Sequence, residues 1–204
     1  MAARQQEVRL TATATLIITE WPDRCDEACT VWDAGLILAH YLADGRGGGW
    51  KEKMAGGARV IDLGSGTGLV GLTAAALGAN TVLTDLAECL EILKLNTESN
   101  AGAVAQAGGA AAVLPLRWGD EEDIQQCLGG GAGFDVVLCG DCMYHTGESG
   151  PAKLVSTVVQ LLARPQQQRQ QAAPPPTVIV ANERRLQTAT VVVLSPHFLD
   201  YYRK

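Results

Sequence analysis

The stretch between residues 59 and 85 limits the choice of folds more than any other part of the chain. Arg59–Leu63 is short, apolar and rich in β-branched residues, which is typical of a strand covered on both faces. A glycine turn follows, and Leu69–Leu77 is rich in the good helix formers Leu and Ala. A second apolar run then ends at Asp85. This order predicts a βαβ unit with a nucleotide-type crevice at the carboxyl ends of its strands.

The residues around the glycine turn indicate which ligand the crevice takes. The pattern from Gly66 to Gly71 formally matches the dinucleotide fingerprint, and Asp85 is suitably spaced to bind ribose hydroxyls. Asp62, two residues before Gly64, adds a second carboxylate, which would repel a pyrophosphate. We therefore favour S-adenosylmethionine, which has no phosphate and carries a positively charged amino and sulfonium end, over NAD. A glycine turn that only packs a helix on a strand is the structural alternative.

Composition excludes several classes of protein. With 204 residues, 47% of them hydrophobic, the chain can bury a sizeable core. A net charge of −6 argues against broad binding to nucleic acid or an anionic membrane. No apolar run approaches the roughly 20 residues that span a bilayer, and the N-terminal residues lack the pattern of a secretory signal. We expect a monomeric protein located in the cytoplasm, and an additional location in the nucleus stays open.

The six cysteines raise the question of a metal or redox site. A disulfide framework is not expected in a chain of this size and compartment. Cys139 ends a predicted core strand, which argues against a zinc or redox role for its Cys-x-x-Cys pair. We predict no metal site and interpret the cysteines as buried thiols. The four candidate ligands considered are Cys25, Cys29, Cys139 and Cys142.

The rest of the chain is predicted to alternate between helices and strands. Val8–Thr19 predicts one strand or two edge strands, and Thr30–Ala43 a helix with Thr30 as its N-cap. Gly45–Gly49 and the Gly/Ala-rich Ala101–Ala110 are interpreted as mobile loops. Further helices are predicted at Ala87–Asn100, Glu121–Leu128 and Gly150–Ala163, and further strands at Ala111–Leu116, Phe134–Cys139 and Thr177–Ala181.

No internal repeat appears, so we predict a single domain over residues 1–204. Residues 1–29 are an N-terminal extension with an edge strand, and residues 30–184 are a cofactor-binding core. Within that core, the Gln- and Pro-rich residues 164–176 are predicted to be a disordered loop, because this composition cannot build a core. Residues 185–204 form the C-terminal segment.

Six motifs in a fixed order carry a resemblance to a known family. They are Val31-Trp-Asp-Ala-Gly-Leu36, the glycine turn, Thr84-Asp-Leu86, Asn96-Thr-Glu-Ser-Asn100, Leu116-Arg-Trp-Gly119 and Asp141-Cys-Met-Tyr144. Together, over about Val31 to Arg184, they resemble the seven-β-strand protein lysine methyltransferases, especially the group of the valosin-containing-protein lysine methyltransferase.

This resemblance implies an α/β, Rossmann-like class I methyltransferase fold, a mostly parallel twisted sheet with helices on both faces. The C-terminal segment looks shortened against the family. Thr188–Leu194 can supply one strand, so the terminal strand pair is expected to be incomplete and the edge beyond the fifth strand uncovered.

The resemblance also implies a cofactor site. Gly64, Ser65 and Gly66 would supply backbone contacts, and Asp85 would accept hydrogen bonds from the ribose diol, with a helix N-cap as its alternative role. Two indoles would flank the ligand: Trp32 beside the methionine end and Trp118 against the adenine. A core anchor and a rim residue are their respective alternatives. The full predicted set of cofactor-binding residues is Trp32, Asp62, Gly64, Ser65, Gly66, Asp85, Trp118 and Gly140.

The acceptor site is implied next to Gly140, at the end of the fourth strand. Asp141 and Tyr144 would form the lysine entrance, with Asp141 capturing and orienting the ammonium group and Tyr144 forming the channel wall. Free lysine has a pKa of about 10.4, and a nearby carboxylate raises it, so water is the expected proton acceptor. Asp141 as an ordinary turn residue is the alternative. His145 is left unassigned, and Glu183 is a weaker acceptor-pocket candidate.

The predicted activity is the transfer of a methyl group from S-adenosylmethionine to a lysine side chain of a protein substrate. Two alternatives stay open. One is a methyltransferase that acts on a small molecule or on another residue type, and the other is a catalytically inactive scaffold that binds the cofactor.

Overall fold

Eight strands form two sheets in a computed structural model that describes residues 3–24, 28–44, 49–142, 149–163, 175–184 and 188–194. The strands are β1 (Arg4–Arg9), β2 (Thr15–Glu20), β3 (Arg59–Leu63), β4 (Asn80–Asp85), β5 (Ala110–Pro115), β6 (Val136–Gly140), β7 (Thr177–Arg184) and β8 (Thr188–Leu194). β1 and β2 form an antiparallel hairpin of their own.

The other six strands form the central sheet in the order β5-β4-β3-β6-β7-β8. The first five are parallel, and β8 runs antiparallel beside β7. The chain proceeds outward from β3 through β4 to β5, then returns to β6 on the other side of β3. The strand order therefore reverses between β3 and β6, and a ligand crevice is expected at the carboxyl ends of these two strands.

Seven α-helices lie between the strands in the described part of the chain. They are α1 (Asp33–Ala43), α2 (Trp50–Ala55), α3 (Leu69–Ala76), α4 (Leu90–Ser99), α5 (Ala101–Gln106), α6 (Glu121–Leu128) and α7 (Gly150–Leu161), with a 3-10 turn at Ala87–Cys89. None of the helices described is long and apolar enough to cross a membrane.

Helices cover both faces of the central sheet because successive strand residues point to opposite sides. On one face, Val60, Val136 and Leu138 belong to a core shared with residues of α1 to α5 and of the hairpin. On the other face, Ile61 and Val137 belong to a second core with residues of α6 and α7. Because both faces of the central strands are buried, their sequences are continuous apolar runs rather than alternating patterns.

Helix α6 shows how local sequence sets an element's ends. The Asp120 carboxylate accepts hydrogen bonds from the backbone N–H groups of Glu122 and Asp123, both at 3.1 Å, which satisfies donors that a helix N-terminus leaves open. Gly129 follows the helix with φ 60°, in the left-handed region that glycine adopts at low cost. The bounds of α6 agree with those predicted.

Several predictions along the chain were wrong. The loop predicted at Ala101–Ala110 is largely helix α5, which buries Val104, and α2 was not anticipated. Helix α1 begins at Asp33 rather than Thr30, and its N-cap, Trp32, makes no side-chain capping hydrogen bond. By contrast, one strand or two edge strands were predicted at Val8–Thr19, and the second alternative is confirmed by the two paired strands of the hairpin.

The sheet edge also differs from expectation. β8 pairs with β7 along seven residue pairs, so the edge of the fifth parallel strand is covered. Apart from Pro175 and Pro176, the loop predicted at residues 164–176 lies outside the described residues, as does most of the loop predicted at Gly45–Gly49.

Candidate functional site

A cavity of about 720 Å³ opens at the carboxyl ends of the central parallel strands. Nine of the ten residues predicted for the site line it: Trp32, Asp62, Gly64, Ser65, Gly66, Asp85, Trp118, Gly140 and Asp141. The tenth, Tyr144, lies outside the described residues, as does His145. The fold thus brings together residues that are more than 100 positions apart in the sequence.

The glycine turn between β3 and α3 forms the floor of this cavity. Gly66 has φ 54°, and a Cβ on it would stand 2.9 Å from the carbonyl oxygen of Ala28. A side chain here would therefore displace the segment that crosses over the turn. The close approach leaves backbone, rather than side chain, facing the ligand space.

The carboxylate of Asp85 closes the turn against the end of β4. One of its oxygens accepts a hydrogen bond from the backbone N–H of Gly66 at 2.7 Å, and the other accepts from that of Leu86 at 2.8 Å. Burial raises the pKa of Asp85 from its ordinary value, against these two hydrogen bonds, which lower it. Each carboxylate oxygen can accept a further hydrogen bond, so capacity for a diol is left.

Asp62 is the more deeply buried of the two carboxylates, at 1% exposure. It accepts a hydrogen bond from the backbone N–H of Gly71 at 2.9 Å. Desolvation by burial raises the pKa of Asp62 to about 7, and the charge of Asp85 adds to the rise. An unpaired buried carboxylate is costly, so a cationic group in the cavity would stabilise its ionised form.

Ser65 and Thr84 fix the backbone between these carboxylates. Both hydroxyls donate to the carbonyl oxygen of Asp62, at 3.0 and 2.8 Å, and the Ser65 hydroxyl also accepts from the backbone N–H of Thr84 at 3.0 Å. The backbone N–H of Ser65 donates to the carbonyl oxygen of Thr84 at 2.8 Å. The ends of β3 and β4 are therefore locked together beneath the ligand space.

Two tryptophans, Trp32 and Trp118, contribute to the cavity lining. Trp118 is half-buried, and its ring lies 3.5 Å from the position of a Cβ on Gly64. Trp32 is 42% exposed, which rules out the alternative role of a core anchor. Both indoles are placed to cover a ligand with apolar surface.

The end of β6 supplies a further carboxylate of the cavity, in addition to those of Asp62, Asp85 and Glu88. Asp141 has φ 58°, an unusual backbone conformation for a residue with a side chain, and its N–H donates to the carbonyl oxygen of Ala181 at 2.7 Å. Such outliers cluster at functional sites. Glu183 lies in β7, one residue after the cavity-lining Asn182.

Other lining residues were not anticipated from the sequence. Cys142 is buried, and its thiol donates to the carbonyl oxygen of Leu63 at 2.8 Å. Its pKa is raised well above the ordinary value by the hydrogen bond with Cys139 and by burial. Asn182 and Lys153 also line the cavity. The only signals in the sequence were that Asn182 directly follows the predicted strand Thr177–Ala181 and that Cys142 lies three residues beyond the predicted strand Phe134–Cys139. In the structure Asn182 lies within β7.

The cysteines do not form a metal site in the part of the chain that the structure describes, where no group of three or more His, Cys, Asp or Glu side chains is arranged to hold an ion. Cys29 is disulfide-bonded, so the interpretation as a free thiol was wrong at this position. Cys89, Cys127, Cys139 and Cys142 are not in disulfides.

The sheet order, the glycine turn and the two carboxylates at its strand ends define a Rossmann-like methyltransferase fold. The chain belongs to the lysine methyltransferase family, whose match covers residues 11–191.

Relatives with assigned names support this membership. The chain is 39% identical over 131 residues to protein N-lysine methyltransferase METTL21A of Danio rerio, covering 64% of this chain and 54% of the relative. It is 33% identical over 128 residues to EEF1A lysine methyltransferase 3 of Mus musculus, covering 63% and 49%. The chain thus spans about half the length of the curated relatives it matches.

Solved structures agree on the fold. The 16S rRNA N2 G1207 methyltransferase RsmC of T. thermophilus superposes with a TM-score of 0.59 at 21% identity, covering 92% of this chain and 44% of that one. A SAM-dependent methyltransferase from Agrobacterium tumefaciens gives 0.53 at 13% identity, covering 89% and 53%.

Proposed function

We propose that the protein transfers a methyl group from S-adenosylmethionine to a lysine side chain of a protein substrate. The observation that carries this proposal is the pair of carboxylates that flank the glycine turn, buried Asp62 and half-buried Asp85, in the same cavity as Asp141. Membership of the lysine methyltransferase family supports it.

The cavity residues fit this cofactor chemically. Asp62 offers a buried negative charge to the cationic amino and sulfonium end, and Asp85 has the hydrogen-bonding capacity that a ribose diol needs. Trp118 and Trp32 offer ring surface to the rest of the ligand. A pyrophosphate would meet repulsion from both carboxylates, which disfavours a dinucleotide. When bound, the cofactor supplies a methyl group activated by its positively charged sulfur.

The acceptor lysine would enter beside Asp141. Its ammonium group would be attracted by the carboxylate, and the neutral amine formed on loss of a proton to water would be the nucleophile that accepts the methyl group. The carboxylate stabilises the ammonium form, so Asp141 captures and orients the lysine rather than acting as a general base. Alignment of the reacting atoms is then the main source of rate enhancement. Tyr144 is the second proposed acceptor-site residue.

Finer assignments belong to the same proposal. The Val31–Leu36 and Asp141–Tyr144 motifs support a place in the group of the valosin-containing-protein lysine methyltransferase. Relatives named for EEF1A methylation make that protein a second candidate substrate. The net charge of −6 fits a basic target surface. We also propose that the protein is a monomer and that it binds neither nucleic acid nor membrane. We propose a cytoplasmic location, and an additional nuclear location stays open.

The test uses methyl-labelled S-adenosylmethionine, a protein extract, and acid hydrolysis with amino-acid analysis. The variant is Asp141→Asn, and the matched control is Asp135→Asn at the opposite end of β6, where an amide oxygen can still accept from the Arg59 N–H. We expect label in methyl-lysine that is lost with Asp141→Asn and retained with Asp135→Asn.

Other outcomes would change the proposal in different ways. Label in another residue or in a small molecule would overturn the acceptor and keep the cofactor. Binding of S-adenosylhomocysteine without any transfer of label would favour the inactive scaffold. Absence of both binding and transfer would overturn the function as a whole.

A further inference from the structure

Two asparagines, Asn96 in α4 and Asn100 directly after it, hold the outer edge of β2. Asn100 accepts a hydrogen bond from the backbone N–H of Ile17 at 2.8 Å and donates to the carbonyl oxygen of the same residue at 2.8 Å. Asn96 does the same for Thr19, accepting at 2.8 Å and donating at 2.9 Å. Each side-chain amide therefore pairs with a strand residue as a neighbouring strand would.

The spacing of the two asparagines explains this pairing. Four residues of an α-helix rise by about 6 Å, and two residues of a strand rise by about 6.8 Å. An Asn-x-x-x-Asn pattern along a helix therefore meets alternate residues of a strand, whose N–H and C=O groups point to the same edge. The other edge of β2 is occupied by β1, so the strand is paired on both sides.

Asn96 makes one further contact, to the floor of the cavity. Its Nδ2 atom donates at 2.8 Å to the carbonyl oxygen of Thr67, which lines the cavity between two glycines of the turn. Asn96 is fully buried, and the two donors of its amide are divided between Thr19 and Thr67. One side chain thus fixes β2 and the glycine turn relative to α4.

Strand β2 and the residue after it hold, in turn, the segment that crosses the cavity, residues 28–32, here called the cover segment. Glu20 accepts a hydrogen bond from the backbone N–H of Val31 at 2.7 Å. The backbone N–H of Trp21 donates to the carbonyl oxygen of Cys29 at 2.9 Å. The position of the cover segment therefore follows the position of β2.

The cover segment and the glycine turn enclose the ligand space together. Four of its residues, Ala28, Thr30, Val31 and Trp32, line the cavity. Its Ala28 carbonyl oxygen lies against Gly66, in the turn that Asn96 also holds. A shift of β2 on α4 would therefore change the cavity on two sides at once.

We propose that Asn96 is a positioning residue for the cofactor, and that Asn100 supports it by docking the same strand. Asn96 touches no ligand in this scheme. It acts through the glycine turn and the cover segment, so its loss weakens cofactor binding more than it slows the chemical step. The proposal rests on S-adenosylmethionine being the cofactor, as proposed above.

The test compares Asn96→Asp and Asn100→Asp with Met54→Ala. A carboxylate of the same shape keeps the acceptor but cannot donate to Thr19 or Thr67. Met54 is fully buried in α2 and is not among the residues that line the cavity, so its truncation lowers stability without removing a hydrogen bond to β2 or to the glycine turn. The measurements are the Kd of S-adenosylhomocysteine by calorimetry and the KM and kcat for methyl transfer.

We expect Asn96→Asp to weaken binding by about tenfold or more and Asn100→Asp by about threefold, with Met54→Ala within about twofold of the wild type. The KM for the cofactor should rise more than kcat falls. Equal Kd values for Asn96→Asp and the wild type, or an equal loss in Met54→Ala, would overturn the proposal.

Hydrogen exchange of the ligand-free protein gives an independent measurement. In Asn96→Asp, but not in Met54→Ala, the amides of the glycine turn and of the cover segment should exchange faster than in the wild type. Unchanged exchange at both places would overturn the positioning role. If the wild type itself fails to bind S-adenosylhomocysteine, the proposed function fails, and the exchange result still decides the role of Asn96.

Discussion

The carboxylate of Asp62 accepts a hydrogen bond from the backbone N–H of Gly71 at 2.9 Å, across the turn that joins β3 to α3. Burial raises the pKa of this carboxyl to about 7, so near neutral pH it is close to half protonated. A cationic ligand in the cavity favours the ionised form. Binding of the proposed cofactor and ionisation of Asp62 are therefore coupled.

The first prediction concerns the pH dependence of cofactor binding. Below the pKa of Asp62, binding must displace a proton, so the Kd for S-adenosylhomocysteine should fall up to about tenfold for each unit of rising pH between about 5.5 and 7. Asp62→Asn should bind more weakly and show a flatter dependence. Burial also raises the pKa of Asp85, which accounts for any slope left in the variant. Equal slopes in calorimetric titrations of both proteins would contradict the prediction.

The second prediction concerns the stability of the ligand-free protein. The folded pKa of Asp62, about 7, lies above the value of 3.8 expected in the unfolded chain. Between these values the folded state retains a proton that the unfolded state has lost, so the contribution of this group to the free energy of unfolding falls as pH rises from about 4 to 7. Urea denaturation of the wild type and Asp62→Asn across this range should show the variant losing less stability. A parallel decline in the two proteins would refute the effect.

The third prediction concerns Gly71, where a Cβ would stand 2.8 Å from two atoms of Leu83 and 2.9 Å from the Asp62 carboxylate. Overpacking of this kind should lower the free energy of unfolding of Gly71→Ala by about 1–3 kcal/mol. Gly102→Ala in α5 is the matched control, because a Cβ there meets nothing within 4 Å. The control should gain about 0.5–1 kcal/mol from helix propensity. Equal stability of the two variants in urea would show that the contact is tolerated.

The local sequence was sufficient to predict the elements around the site. The β3–α3–β4 unit follows from an apolar run, a glycine turn and a helical segment, and α6 from the cap residues Asp120 and Gly129. The ends of parallel strands meet at one edge of a sheet, so Asp62, Asp85 and Asp141 were predictable neighbours. Membership of a methyltransferase family agrees with the predicted cofactor and activity.

The parts that were missed depend on tertiary contacts. Helix α5 has a Gly/Ala-rich sequence without clear periodicity, and the burial of Val104 in the core is what distinguishes it from a loop. The cover segment is held over the cavity by hydrogen bonds such as that between Glu20 and Val31. No local sequence pattern predicts these hydrogen bonds. Asn96 was noted only as part of a motif, because its partners Thr19 and Thr67 are distant in sequence.

The fourth prediction concerns Thr157, whose hydroxyl accepts a hydrogen bond from the backbone N–H of Gly119 at 2.8 Å. Thr157→Val keeps the shape but removes this acceptor beside the cavity-lining Trp118. We expect a loss of about 1 kcal/mol in stability and of about threefold in affinity for S-adenosylhomocysteine. Thr73→Val is the control, since this equally buried hydroxyl only donates to a carbonyl within its own helix. Equal affinities of the two variants for S-adenosylhomocysteine would show that the hydrogen bond between Gly119 and Thr157 does not contribute to binding.

The fifth prediction concerns Cys89, a half-buried thiol that lines the cavity near Asp85. Among the described thiols, Cys89 should react first with N-ethylmaleimide, because Cys127, Cys139 and Cys142 are buried and burial raises the pKa of Cys127 to about 11. S-adenosylhomocysteine at ten times its Kd should slow the reaction of Cys89 about tenfold, since only the ligand-free protein exposes it. Peptide mass spectrometry follows the adduct, and Cys89→Ser is the control for its assignment. The prediction would be contradicted if Cys142 were labelled faster than Cys89. It would also be contradicted if the ligand left the labelling rate of Cys89 unchanged, which would place the cofactor elsewhere in the cavity.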